Sequence, residues 1–436
     1  MSKIFQRLSA GCSLSCRQSR PTYRVVERNP MADVVIAGGG IGGLAAALAC
    51  ARSGGKVRLY ERAAEFSEVG AGIQLGPNAM RVLYSWDLKD ELSRLVAFPA
   101  RLQFRSAPTG AVLGELPLGP DMERAYGAPY ATIHRADLHG LLVKVLCQRG
   151  DVALNLDNAV VSAAQTDAKV TAQLADTQAV SGDVLVAADG AWSSLRQQLL
   201  HDGKPQPTGH LAYRAMVEQS TLPKALQTRQ VTAWFGPKMH VVQYPVRGGT
   251  WMNVVGIVHG QVQGDMSSWD HSANAADLQR VIQGSCAPLH DLIHAIGHWR
   301  LWPLSIRPPM QGAHEHFLGR VALLGDAAHP MVPYLAQGAA MAIEDAATLA
   351  KVLAAGGVLN GAAPDATALA RVPALLQDYA NQRWQRNAQV QARAIKNGEI
   401  YHLTGPLRLG RDLAMRVLGK GLLDQPWLYG GPKIAI

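Results

Sequence analysis

Cysteine is scarce: five occur, at Cys12, Cys16, Cys50, Cys147 and Cys286, an odd number with no CxxC pair. That excludes a disulfide framework and a cysteine-based zinc site, and it fits a reducing, cytoplasmic compartment. Charge is sparse as well, at 17% of residues, and no block of like charge follows residue 30, so neither a charged disordered tail nor a nucleic-acid-binding arm is expected there. Long apolar runs are nearly missing. The one candidate membrane span, Val34 to Ala51, is uncharged over the roughly 18 residues required. Gly38, Gly39, Gly40, Gly42 and Gly43 crowd its first half, however, and would break a spanning helix. Internal repeats and a secretory apolar segment are also missing.

What is present describes a globular protein. Apolar residues make up 48% of the 436, enough to bury a core shared by two interlocked domains. Much of the net charge of +9 sits in Met1 to Pro30, where Lys3, Arg7, Arg17, Arg20, Arg24 and Arg28 face only Glu27. This segment lacks apolar periodicity and ends before a second methionine, Met31. It reads as a disordered appendage from an upstream start, with an Arg- and Ser-rich targeting presequence as the alternative.

The chemistry begins at Asp33. A strand Asp33 to Ala37, a glycine turn, a helix from about Ile41 to Ser53 and a strand Lys56 to Tyr60 make a βαβ opening. GGGIGG supplies GxGxxG as Gly38, Gly40 and Gly43, and Glu61 with Arg62 follows the second strand at the ~20-residue spacing of a ribose-binding acid. The first glycine permits the tight turn, the second admits a pyrophosphate to the backbone, and the third lets helix and strand pack closely. A carboxylate at Glu61 would repel a 2′-phosphate, so the bound adenosine should carry free ribose hydroxyls, as in FAD or NAD.

The remainder is discontinuous. Residues 31–100, 128–205 and 310–355 are expected to form the dinucleotide domain. Residues 101–127 and 206–309, with strand-like runs flanking turn glycines, are expected to form a mixed or antiparallel substrate sheet, and 366–436 a C-terminal helical region. The fold class is therefore α/β, a Rossmann-like domain interleaved with a sheet-based one.

Two further motifs point past NAD to FAD. DVLVAADGAWSSLR carries Asp189, Gly190, Ser193 and Arg196; GRVALLGDAAHPMVPYLAQGAAMAIEDA carries Asp326, Pro333, Gly338, Glu344 and Asp345. In the second, a strand delivers Asp326 to the sheet end, where it can accept hydrogen bonds from a polyol. The helix beginning near Gly338 offers free N–H groups and a positive dipole end. In the first, a plain turn with Arg196 paired to Asp183 remains an alternative. With GxGxxG, the ordered set resembles the single-component flavoprotein aromatic hydroxylases, the family of para-hydroxybenzoate and salicylate hydroxylases, from about Met31 to Gly430. The resemblance implies FAD, reduction by NADH or NADPH, O₂ as co-substrate, oxygen transfer through a C4a-hydroperoxyflavin, and no metal. It also implies cofactor contacts from Arg135 in HRADL and from Asp189, and it is compatible with a homodimer.

In GPKMHVVQYPVRGG, His240, Val242 and Tyr244 alternate and so share one strand face. The run resembles that of 3-hydroxybenzoate 6-hydroxylases, which implies phenol activation by His240 and substrate contact by Tyr244; a His–Tyr core pair is the alternative. Such a base needs a pKa near neutrality. Tyr213 is the next candidate. Pro333 stands where that group often has Gln, as in salicylate-hydroxylase-like sequences. Gln74, Tyr213 and Tyr334 stand where 6-hydroxynicotinate hydroxylases tend to carry His, so a heterocyclic substrate ranks behind salicylate or 3-hydroxybenzoate. An FAD oxidoreductase without oxygen insertion, and a non-catalytic flavin-binding protein, stay open.

Overall fold

Four apolar residues in a row cannot alternate between core and water, and the VVIA of Asp33–Ala37 accordingly lies mid-sheet, all four buried. In the computed structural model, which describes residues 31–66, 71–260, 271–272 and 275–432, this strand pairs in parallel with Lys56–Tyr60 on one side and Val184–Ala187 on the other. Val152–Asn155 extends one edge; Val321–Leu323 and the antiparallel Phe317–Leu318 extend the other. The basic segment 1–30 lies outside the described residues.

The helix Ile41–Arg52 covers one face of this sheet and packs on the helix Gly338–Ala355. Small residues make the approach close. A Cβ on Gly43 would stand 1.9 Å from the carbonyl oxygen of Gly38, and one on Gly42 would meet Leu324 and Ala342.

The second sheet has eight strands, in the order His271–Ser272, Arg300–Ile306, Gln206–Glu218, Trp251–His259, Met239–Val246, Val231–Gly236, Arg101–Ser106 and Val112–Pro117. All neighbours are antiparallel except Val231–Gly236 with Arg101–Ser106. Facing pairs set its two sides: Tyr213, Gly256 and Val241 lie across one another, as do Ala212, Ile257 and His240. Because directly opposed residues share a face, Tyr213 and His240 are on opposite sides.

The long helix Val372–Tyr401 returns across the first domain and is fastened there by charge. Arg383 donates to Glu344 and Asp345 at 2.8 and 2.7 Å, all three fully buried, while Arg386 adds bonds to Glu344 and Asn387 one to Asp345. The net effect of the arginines and of His329 holds both carboxyls below their usual range despite burial. Removing one member would strand a buried charge. Helix Gly405–Leu418 then closes over the second sheet's far end against Val112–Pro117, and Pro426–Tyr429 packs on the helix Pro77–Ser85.

Candidate active site

Two helix N-termini meet across a cavity of about 270 Å³, lined at that end by Gly40, Ile41, Asp326, Gly338 and Ala339. Neither terminus has a side-chain cap: Gly40 and Gln337 occupy the N-cap positions without a side-chain bond to the first turn. Their unpaired N–H groups are thus available to an anionic ligand. A Cβ at Gly40 would meet nothing within 4 Å, which leaves the backbone open to close approach. Gly38, with φ +104°, and Gly43 lie behind the lining and shape the turn.

Glu61, directly after its strand, turns both carboxylate oxygens to the loop, accepting from Gly39 N at 2.6 Å and Ala63 N at 2.9 Å. Each oxygen retains a second lone pair for a ribose hydroxyl. Arg62 is exposed beside it and outside the lining. Arg135, the first residue of the helix Arg135–Cys147, does line the cavity.

Asp189 lies between the lining residues Ala188 and Gly190, with Oδ1 buried and unpartnered; burial raises its carboxyl pKa. Such a buried acceptor calls for a donor that the protein does not supply. Arg196 does not pair with Asp183, which bonds Lys169 instead. It bridges Asp202, Glu315 and the carbonyl of Ala328, tying the DG segment to the GD segment. Open glycine backbone, two uncapped helix ends, an exposed Asp326 and an orphaned Asp189 oxygen fit a dinucleotide such as FAD.

The second sheet forms the opposite wall. His240, Val242 and Tyr244 line it from one strand, joined by Arg214, Val255 and Ile257. A further chamber of about 210 Å³ opens past His240 and Pro333, walled by Phe104, Tyr130, Tyr334 and Tyr401. Gln74 borders both chambers and accepts from Tyr130 Oη at 2.6 Å.

Tyr213 does not reach either chamber. It packs on the reverse face with Val241, Leu278 and Trp299, so it is corrected from catalytic candidate to core residue. The group that does reach the cavity is its neighbour Arg214, which sequence reasoning missed. Arg214 Nε is buried without an acceptor, and the guanidinium lies over the Trp302 ring at 5.1 Å. Burial lowers its pKa.

His240 departs from expectation too. Burial, then His402 and His210, push its pKa well below the ordinary histidine value rather than toward neutrality. It is a neutral imidazole, its Nδ1 2.7 Å from His402 Nε2. Burial holds the Tyr244 phenol neutral by raising its pKa.

The family described as FAD binding domain matches residues 31–394. The chain is 36% identical over 400 residues to 3-hydroxybenzoate 6-hydroxylase of Polaromonas naphthalenivorans (strain CJ2), covering 91% of this chain and 95% of that one. It is 36% identical over 333 residues to 6-hydroxynicotinate 3-monooxygenase of Bordetella bronchiseptica, covering 76% and 85%. A salicylate hydroxylase substrate complex matches it with a TM-score of 0.76 at 26% identity, covering 92% and 95%.

Proposed function

Since this chain belongs to the FAD-binding domain family, we propose that it is an FAD-dependent monooxygenase that hydroxylates a hydroxybenzoate, with 3-hydroxybenzoate the leading substrate and salicylate next. The observation that carries the substrate class is Arg214: a half-buried guanidinium with no carboxylate partner among the described residues and its Nε buried without an acceptor, on the sheet face that also presents His240 and Tyr244. A partly desolvated charge without a partner is destabilising. The carboxylate of an aromatic acid offsets that cost and places the ring against the sheet.

FAD, once bound, would supply the redox chemistry with NADH or NADPH as electron donor and O₂ as oxidant. Gly40, Arg135, Asp189, Asp326 and Gly338 would hold it, with Glu61 toward the ribose. Arg214 anchors the acid, the neutral Tyr244 phenol donates a hydrogen bond, and His240 Nε2 accepts the substrate's phenolic proton, which makes the ring a stronger nucleophile. Aromatic walls keep water from the reacting centre. The structure has no helix among the described residues long and apolar enough to cross a membrane, and a cytoplasmic location supplies the nicotinamide donor. Helix Gly405–Leu418 exposes Leu407, Leu409, Leu413 and Val417, an apolar face that supports a homodimer.

The test is a panel of 3-hydroxybenzoate, salicylate, 6-hydroxynicotinate and benzoate, scored for stimulated NADH and NADPH oxidation, oxygen uptake and product. Stoichiometric hydroxylation of a hydroxybenzoate supports the assignment. Flavin reduction without oxygenated product from any of them refutes it.

A further inference from the structure

His240 is one end of a line of imidazoles that leads out of the protein. Its Nδ1 is 2.7 Å from His402 Nε2, and His402 Nδ1 is 3.0 Å from His259 Nε2. His259, the last residue of its strand, is exposed, whereas His240 is 2% exposed. Three elements distant in sequence supply the rings: the strands Met239–Val246 and Trp251–His259, and the C-terminal end of the helix Val372–Tyr401. At each internal contact an Nδ1 meets the next ring's Nε2. A neutral imidazole carries one proton and one lone pair, so each ring can take a proton on one nitrogen while releasing one from the other.

We propose that His402 and His259 form a proton-exit relay for His240, carrying the substrate's phenolic proton to solvent. This rests on the assignment of His240 as base given above. The substrate O–H bond breaks and a proton joins His240 Nε2. The proton on His240 Nδ1 passes to His402 Nε2, that on His402 Nδ1 to His259 Nε2, and that on His259 Nδ1 to water. One proton leaves and each ring ends as its other neutral tautomer. The reverse passage, delivering a proton to the product's phenolate oxygen, restores the start.

The surroundings give the relay its purpose. His240 meets the edges of Tyr334 and Tyr401 at ring distances of 5.0 and 5.4 Å. No carboxylate is bonded to any of the three relay rings among the described residues, while Arg411 and Lys238 bring positive charge toward His402 and His259. Burial first, and then His210, His259 and Arg411, keep His402 at about 3. A base that cannot retain its proton needs somewhere to send it. His210 joins from the side, bonded to Tyr334 Oη at 2.6 Å and 3.2 Å from His259 Nε2. It gives a branch rather than a separate exit.

The test uses FAD-loaded protein in single turnovers, reduced and then mixed with O₂ and 3-hydroxybenzoate. His402→Gln should slow oxygen transfer by about tenfold or more, below the 10²–10⁴-fold of losing the base itself. Reduction by NADH should stay normal, and added imidazole should restore part of the rate. His259→Gln, at an exposed position, should make the rate depend on buffer concentration. In wild-type protein the rate in H₂O–D₂O mixtures should curve with deuterium fraction, as several protons in flight require. A normal rate in His402→Gln, or a linear isotope dependence in wild type, overturns the relay. If His402→Gln is normal while His240→Ala is slow, only the relay fails; if both are normal, the assignment of the base fails.

Discussion

Replacing Arg214 by methionine should weaken acid binding and strengthen the empty fold at once. In the free protein the guanidinium is half-buried, with Nε buried and unpartnered and the Trp302 ring against it. Part of the cost of burying a cation is therefore borne before substrate arrives. Two charge-assisted hydrogen bonds to a carboxylate contribute about 1.5–3 kcal/mol each. Taking about 3 kcal/mol as the net loss, Arg214→Met should raise the Kd of 3-hydroxybenzoate roughly 100-fold. Resorcinol, with a second hydroxyl in place of the carboxylate, should bind variant and wild type within about threefold. Titration of the flavin absorbance with each ligand measures both. The ligand-free variant should melt at a higher temperature, because a partly desolvated, unpaired charge has been replaced by an apolar chain of similar length. Equal weakening for both ligands would show that Arg214 shapes the cavity without recognising the acid.

Asp326→Ala should give largely colourless protein, since an exposed acceptor at the strand end is lost without harm to the core; the flavin-to-protein absorbance ratio decides. Arg383→Leu should cost about 3–5 kcal/mol by leaving Glu344 and Asp345 buried without their partner, read by denaturant unfolding with FAD present. The fully buried His316 is held by burial at about 3. The unfolded chain therefore binds the extra proton below about pH 6.5, and stability should fall as pH drops from there toward about 3, by up to ~1.4 kcal/mol per unit. His316→Gln should flatten that slope in denaturant titrations between pH 6.5 and 4.5.

The two halves of the site differed in how far they could be read from sequence. Around the dinucleotide, local rules suffice: the glycine spacing dictates a turn, and the strand before it and helix after it follow from apolar run and alanine content. The observed bounds Asp33–Ala37 and Lys56–Tyr60 are those expected, and the later helix starts at Gly338 as expected, held off by Ala336 at φ +53°. Alternation also placed His240 with Tyr244. It could not say which of Tyr213 and Arg214 faces them. HLAYRAMV is apolar on both sides, and its facing is set by pairing to Trp251–His259 and by an irregularity between Pro207 and Leu211. His402 comes from a helix some 160 positions away, so no local pattern joins it to His240. The pKa of His240 was misjudged for the same reason: its depth and its histidine neighbours are tertiary facts.

The central claim is that His240 takes the phenolic proton, and the most direct measurement is the oxygen-transfer step of His240→Ala at saturating 3-hydroxybenzoate. FAD content and reduction by NADH should be normal, with hydroxylation slowed by about 10²–10⁴-fold and most of the consumed O₂ released as hydrogen peroxide. Hydroxylation at the wild-type rate with tight coupling would contradict the account and return His240 to a packing role.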